Sequence, residues 1–194
     1  MDFKQQYNWI YQECKSILAD PKKFWDKKQP DYFTENIVVR LLLPLIVITG
    51  AAVFLGELIS KPDYLLSFAL MKAIRIIVSY LIQYYLAVAV ISALQVNYGG
   101  LHDRQFLSYV IAFTLLPFVI ASFITGLFHG LALLNIVGLY GFYIFVTGAQ
   151  TSLGIPEVNR SRFIMLSILL ILLIFGMTNI VSWKLLSVIF PYGA

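Results

Sequence analysis

The sequence predicts an all-α, polytopic membrane protein with five transmembrane helices in one bundle and a short amphipathic helix at the N-terminus. The 194-residue chain is 60% hydrophobic and only 12% charged, and its mean hydropathy is +0.82. A helix of about 20 apolar residues crosses the roughly 30 Å hydrocarbon core of a bilayer. Five stretches meet this requirement and are predicted as spans, at residues 37–59, 67–96, 106–127, 130–150 and 163–189.

The apolar stretches are continuous, which favours helices over membrane β-strands, because such strands alternate in segments of about 10 residues. Asp, Glu, Lys and Arg are absent from residues 76–96, 106–127, 130–149 and 163–183. A soluble domain of this size would expose too much apolar surface. We therefore expect a polar segment over residues 1–35 and one membrane domain over residues 36–194.

The polar segment begins with a predicted amphipathic helix at residues 3–18, since apolar side chains recur there at helical spacing. These side chains are Phe3, Tyr7, Ile10, Tyr11, Cys14, Ile17 and Leu18. Such a helix either lies in the membrane interface or packs against the ends of the spans, and the sequence leaves both alternatives open. Asp20-Pro21 is expected to end it, because the residue before a proline is restricted away from helix.

A second short motif is interpreted as a juxtamembrane anchor, with its aromatic centre at headgroup level and its lysines directed to lipid phosphates. The anchor residues are Lys22, Lys23, Trp25, Lys27 and Lys28. Acidic neighbours bring the whole segment close to neutrality, which argues against nucleic-acid binding. The pattern indicates an ordinary anchor more than a specific site for anionic lipid.

The distribution of basic residues predicts the orientation of the chain, because Lys and Arg concentrate on the cytoplasmic side. If the N-terminus is cytoplasmic, that side carries the N-terminal lysines and Arg40, Arg104, Arg160 and Arg162. The outer loops then carry Lys61. We expect a cytoplasmic N-terminus, an outer C-terminus and no cleaved signal peptide.

The spans differ in detail. The helical pattern of the second extends back to about residue 64, so residues 65–75 either lie along the outer surface or belong to a long, tilted helix. Pro44 and Pro117 are expected to kink the first and third spans. Small residues suited to close helix approach recur in the first, third and fourth spans, at Gly50, Ala51, Gly56, Gly126, Gly138 and Gly141.

One face of the second span carries a polar stripe that is the candidate binding site. Spacings of three and four residues place its side chains on one helix face, and charge within a membrane tends to mark function. With polar groups expected at the same outer depth, the candidate outward-facing pocket contains Glu57, Lys72, Arg75, Ser79, Gln83, Asn135 and Asn179. The preferred alternative is structural: Glu57 pairs with Lys72 or Arg75, and the other residues join helices.

The sequence favours no enzyme class, no cofactor and no metal. Nucleophile-elbow, paired His–Glu and phosphate-loop motifs are absent, and the predicted spans hold no His or Asp for an intramembrane protease. His102 and His129 fall in loops on opposite sides of the membrane, so they are not expected to share a metal. Cys14 has no second cysteine to pair with.

Short motifs along the chain resemble the Yip domain family, the Ypt/Rab-interacting type of membrane protein, in its bacterial form. They are Ile17-Leu18-Ala19-Asp20-Pro21 with Phe24-Trp25, then Gly99-Gly100 with Phe106, Tyr109 and Pro117, then Gly138-Leu139-Tyr140 with Tyr143 and Gly148. The resemblance implies five bundled helices and no catalytic residues. Eukaryotic members bind prenylated small GTPases and each other, but the short N-terminal segment here is typical of bacterial members, for which GTPase binding is not expected.

The leading functional hypothesis is a non-enzymatic inner-membrane scaffold or organiser. It would act through cytoplasmic contacts and through helix–helix contacts in the bilayer, with homo- or hetero-oligomers as the expected assemblies. One alternative is a small transporter or channel component that uses the polar pocket. A weaker alternative is a lipid-binding membrane protein.

Overall fold

The structure is a computed structural model that describes residues 3–28, 35–60, 66–100 and 103–189, and the described residues contain helices and no strand. Their order is α1 (Phe3–Ala19), α2 (Pro21–Lys27), α3 (Leu43–Ser60), α4 (Leu66–Asn97), α5 (Arg104–Leu127), α6 (Tyr140–Ser152) and α7 (Glu157–Ile189). Within the described residues, five segments are long and apolar enough to cross a membrane, at Val38–Ser60, Leu66–Asn97, Arg104–Leu127, Gly130–Thr151 and Glu157–Ile189. The predicted fold class is confirmed. Lys61, Leu65 and His102 lie outside the described residues.

Helix α5 is the centre of the bundle. It packs against α3, α4 and α6, and every residue from Tyr109 to Pro117 is buried. The most apolar part of α5 is 56% buried, whereas the corresponding part of α7 is only 22% buried. Because α7 packs mainly along α4, most of its apolar surface is left to face lipid.

The first span begins with a π-helical turn at Val38–Leu42 that leads into α3. Pro44 follows this turn, and its ring has no N–H to donate to the carbonyl of Arg40 four residues earlier. Gln6 of α1 donates its side-chain amide to that carbonyl at 3.4 Å. The irregular start of the span therefore also docks α1 onto the bundle.

The fourth span is built from two kinds of helix, which the sequence did not predict. Residues His129–Leu139 are 3₁₀-helical with a kink at Leu131, and α6 continues from Tyr140. A 3₁₀ helix rises about 2.0 Å per residue against 1.5 Å in an α-helix, so this stretched half lengthens an otherwise short span. Its C-terminal part lies close to α5, where a Cβ on Gly138 would press into the Phe118 ring.

Glycines bring helix backbones into direct contact at two crossings. A Cβ on Gly56 of α3 would overlap the carbonyl group of Gly126 in α5, with the carbonyl carbon at 2.8 Å. A Cβ on Gly141 of α6 would overlap the carbonyl group of Thr114 in α5. Close approach, as predicted for these glycines, holds α3 and α6 against α5.

Helix α4 runs without a break for 32 residues. At 1.5 Å per residue it is about 48 Å long, which exceeds a hydrocarbon core of roughly 30 Å. Leu66 to Arg75 therefore belong to the same helix as the span, in keeping with the long-helix alternative.

Candidate functional site

The charged part of the predicted pocket is an ion pair between α3 and α4. Lys72 Nζ lies 2.5 Å from Glu57 Oε2, and the Glu57 side chain is only 2% exposed. Burying a carboxylate is expensive unless it is paired and hydrogen-bonded. This pair is the one that the structural alternative anticipated, and it joins the two helices.

Arg75, one turn further along α4, points instead towards α7. Its Nη1 donates to Ser182 Oγ at 3.4 Å, and its guanidinium carbon lies 5.2 Å from the centroid of the Trp183 ring. Among the described residues, no carboxylate pairs with Arg75. The guanidinium is therefore held by a hydroxyl and an aromatic face.

Deeper in the bundle, Ser79, Gln83 and Asn179 line a small cavity of about 70 Å³. Ser79 and Gln83 are 5% and 3% exposed. Asn179 donates its amide to Phe175 O at 2.9 Å within its own helix. This cavity has room for little more than water, and neither Glu57 nor Lys72 lines it. The cavity and the ion pair therefore do not form one solute-sized pocket.

Asn135 lies apart from the other predicted pocket residues. It stands on the 3₁₀ segment, and its Oδ1 accepts a hydrogen bond from Thr125 of α5 at 3.4 Å. The structure thus distributes the seven residues over an ion pair, a contact with α7, a small cavity and a contact with α5. A ligand-binding role for this set stays a prediction.

At the other end of the bundle, α1 and α2 form a layer, which we call the α1–α2 layer (residues 3–28). Phe24 and Trp25 of α2 are each 2% exposed, and their ring centroids lie 5.0 and 5.7 Å from that of Phe113 in α5. Gly148 of α6 makes room for the indole, since a Cβ there would lie 3.0 Å from it. Trp25 therefore contacts protein, and not the lipid headgroups for which the sequence suggested it.

The lysines of the predicted anchor divide into two groups. Lys22, Lys23 and Lys27 are exposed, and Lys23 Nζ lies 2.9 Å from the Asp20 carboxylate. Lys28 turns inward and pairs with Glu13 of α1 at 2.9 Å. A role as lipid anchor stays a prediction for the exposed lysines, whereas Lys28 ties α2 to α1.

Three further contacts hold α1 to the bundle. The Arg40 guanidinium carbon lies 4.1 Å from the centroid of the Trp9 ring. Tyr140 of α6 donates to Leu18 O at 3.1 Å, and Ile17 is fully buried. Of the two placements that the sequence left open for α1, the structure shows packing against the ends of the spans.

Among the titratable groups of the α1–α2 layer, Cys14 and Asp20 have shifted pKa values. Burial, helped by the neighbouring Glu13 charge, raises the pKa of the Cys14 thiol to about 11. Hydrogen bonds from Lys23 hold the pKa of Asp20 below its usual value. Asp20 also caps α2, because its carboxylate accepts the Lys23 N–H at 3.0 Å.

No cluster of three or more His, Cys, Asp or Glu side chains able to hold a metal occurs within the described part of the chain. The residues that sequence reasoning missed are apolar: the wall of a groove between α4 and α7, and the Trp183 ring beside Arg75. The spacing of Thr178 and Ser182, which puts both on one face of α7 towards α4, is the signal that could have indicated this groove.

In the part of the chain that the structure describes, five apolar helices form a bundle with a polar helical layer at one end, and this defines a multi-pass membrane protein. A family model for the Yip1 domain matches residues 15–180. The chain belongs to the Yip1 domain family, as its motifs predicted. Comparisons with curated proteins and with solved structures found no match.

Proposed function

We propose that this chain is a non-enzymatic scaffold of the bacterial inner membrane that presents the α1–α2 layer to a partner protein in the cytoplasm. The observation that carries the proposal is a pair of tyrosines on the outer face of α1. Tyr7 is 62% exposed and Tyr11 is 54% exposed, and they stand one helical turn apart. Tyrosine is enriched in protein interfaces, where it combines apolar area with a polar end.

The way in which α1 is fixed supports the same role. Lys28 pairs with Glu13 and Arg40 covers Trp9, while the aromatic side chains of α2 are buried in the bundle. A preorganised surface loses little conformational entropy when a partner binds. The layer thus offers a rigid face, as a scaffold requires.

The test is photocrosslinking in cells with benzoylphenylalanine in place of Tyr11. We expect a protein adduct of discrete mass that Tyr7→Ser suppresses, because both tyrosines belong to the same face. The matched control places the crosslinker at Ser16, which is exposed on another side of α1. Adducts with lipid alone at position 11 would contradict the proposal and would make α1 an interfacial helix.

Transport is the competing function. Glu57, Arg75, Gln83 and Asn135 lie in different surroundings, so among the described residues they do not share one solute-sized pocket. A flux assay in proteoliposomes decides between the two roles. Solute movement that is lost on Lys72→Met or Arg75→Gln in a folded protein would overturn the scaffold proposal.

A further inference from the structure

Helices α4 and α7 enclose a groove of about 490 Å³. Its walls are largely apolar side chains, among them Val78, Ile82 and Leu86 of α4 and Met177, Val181 and Leu185 of α7. Most are close to half exposed, with Ile82 at 44% and Val181 at 54%. The groove therefore opens on the lipid-facing side of the helix pair, where a hydrocarbon chain can enter from the bilayer.

Polar side chains gather along about one helical turn of this otherwise apolar groove. Arg75, Ser79, Thr178 and Ser182 all line it. Arg75 Nε and Ser79 Oγ are buried and have no hydrogen-bond partner among the described residues, and Ser79 is only 5% exposed. A buried donor left unpaired costs roughly 1–3 kcal/mol. Both groups lie just behind the wall of the groove, and a rotation of each side chain towards it would let them donate to a ligand that carries oxygen acceptors.

Charge selects the kind of ligand. Arg40 and Lys72 each pair with a glutamate, whereas Arg75 pairs with no carboxylate in the described parts of the chain. Among the described residues, no Asp or Glu lines the groove. The groove therefore carries a net positive charge in apolar surroundings, which favours an anionic group over a zwitterionic one whose cation would find no partner.

The order of groups along α4 matches a glycerophospholipid. The 22 residues from Arg75 to Asn97 span about 33 Å, close to the roughly 30 Å thickness of the hydrocarbon core. With Asn97, the last residue of α4, placed at one boundary of that core, Arg75 lies near the other boundary, at the depth of a phosphate. Ser79 lies about 6 Å deeper, near the ester carbonyls, and the apolar walls at Ile82 and Leu86 follow, where an acyl chain runs.

We propose that the α4–α7 groove binds one anionic glycerophospholipid. Arg75 and Ser182 hold its phosphate, Ser79 donates to an ester carbonyl, and one acyl chain lies along Ile82 and Val181. Bound lipid covers the apolar face between the two helices and satisfies both buried donors. This site goes beyond the scaffold role and does not depend on a protein partner for α1.

The test is native mass spectrometry of the full-length protein, stripped of lipid in detergent and titrated separately with phosphatidylglycerol, phosphatidylcholine and inorganic phosphate. We expect one phosphatidylglycerol per chain, bound roughly tenfold more tightly than phosphatidylcholine, and no binding of inorganic phosphate. Arg75→Gln should abolish this preference. The control Lys184→Gln removes a charge from α7 outside the groove and should keep it.

A second pair of variants tests the hydrocarbon part without removing a charge. Ile82→Trp places a large ring on an exposed wall of the groove, and we expect it to weaken phosphatidylglycerol binding at least tenfold. Leu173→Trp makes a similar change at a position on α7 that is 50% exposed and outside the groove, and it should bind as the parent protein does.

Three results would overturn the proposal. They are equal affinity of the parent protein for the two lipids, unchanged lipid preference in a folded Arg75→Gln variant, and lipid-free dimers that Ile82→Trp dissociates. The last result would identify a second copy of the chain as the occupant of the groove. Should Arg75→Gln not fold, unchanged lipid binding in Ile82→Trp would equally reject the site.

Discussion

Gly56→Ala tests whether close backbone contact holds α3 against α5. The new methyl carbon would lie 2.8 Å from the carbonyl carbon of Gly126 and 3.0 Å from the Cα of Leu127. Carbon atoms favour separations of about 3.5–4.0 Å, and the Gly126 carbonyl oxygen lies closer still to the new carbon, so the helices must move apart by about 1 Å or more. Since the opposing atoms are backbone, no side-chain rotation can relieve the overlap.

The expected magnitude follows from two opposing terms. Overpacking costs about 3 kcal/mol at the upper end of its usual range, while alanine is better than glycine inside a helix by about 1 kcal/mol. The variant should therefore lose about 2 kcal/mol, which lowers the folding equilibrium constant roughly 30-fold. The measurement is unfolding of the purified protein by a titration with SDS, followed by tryptophan fluorescence.

Gly176→Ala is the matched control for this prediction. Gly176 stands within α7, and a Cβ there meets no atom within 4 Å. The same chemical change should stabilise the protein by about 1 kcal/mol, because only the helix preference remains. If the two variants shift the unfolding midpoint in the same direction by similar amounts, backbone contact at Gly56 does not hold α3 to α5.

Three further predictions concern the other polar contacts. Lys72→Met should destabilise the protein by about 3 kcal/mol, because it removes a partner of buried Glu57, and adding Glu57→Gln should recover most of that loss. Thermal unfolding in detergent measures the stability of both variants. A double variant that is no more stable than Lys72→Met alone contradicts the pairing. Cys14 should react with maleimide at pH 8 about 100-fold more slowly than an ordinary thiol. The reason is that a pKa of about 11 in place of 9.0 lowers the thiolate fraction by that factor. If Cys14 in the folded protein reacts as fast as an ordinary thiol, α1 is not docked on the bundle as described. Ionised Asp20 stabilises α2, and since its pKa is lowered from 3.8, this contribution is present above about pH 3.8 and is lost as the pH falls further. Tryptophan fluorescence should therefore show a transition at acid pH, and Asp20→Asn should reduce that transition. An unchanged transition in the variant contradicts the role of Asp20.

Most of the architecture could be predicted from the sequence because the bilayer imposes it. An apolar stretch of about 20 residues must satisfy its own backbone, and only helical hydrogen bonding does so within one segment. The five spans follow from this rule. The end of α1 before Asp20-Pro21 follows instead from the restriction that a proline places on the residue before it, and the small residues at helix crossings follow from close helix packing. The 3₁₀ half of the fourth span follows from none of these rules, since composition and hydropathy are the same for either kind of helix.

The candidate sites were only partly predictable. Spacing placed Lys72, Arg75, Ser79 and Gln83 on one face of α4, but a face is about 100° wide, and neighbouring helices divide it. Lys72 meets α3, and Arg75 meets α7. Depth in the membrane can be read from the position along a helix, whereas lateral neighbours depend on how helices pack around α5.

The sequence by itself determined the family, the number of spans and the amphipathic helix that precedes them. These follow from local hydrophobicity and short motifs, which need no knowledge of distant contacts. Only the tertiary structure decided that Trp25 lies inside the bundle and that Arg75 faces an apolar groove with no carboxylate beside it among the described residues. Both features depend on residues far apart in the chain. The Trp25 indole occupies space that is free because Gly148 has no side chain, and the groove exists because α7 packs alongside α4.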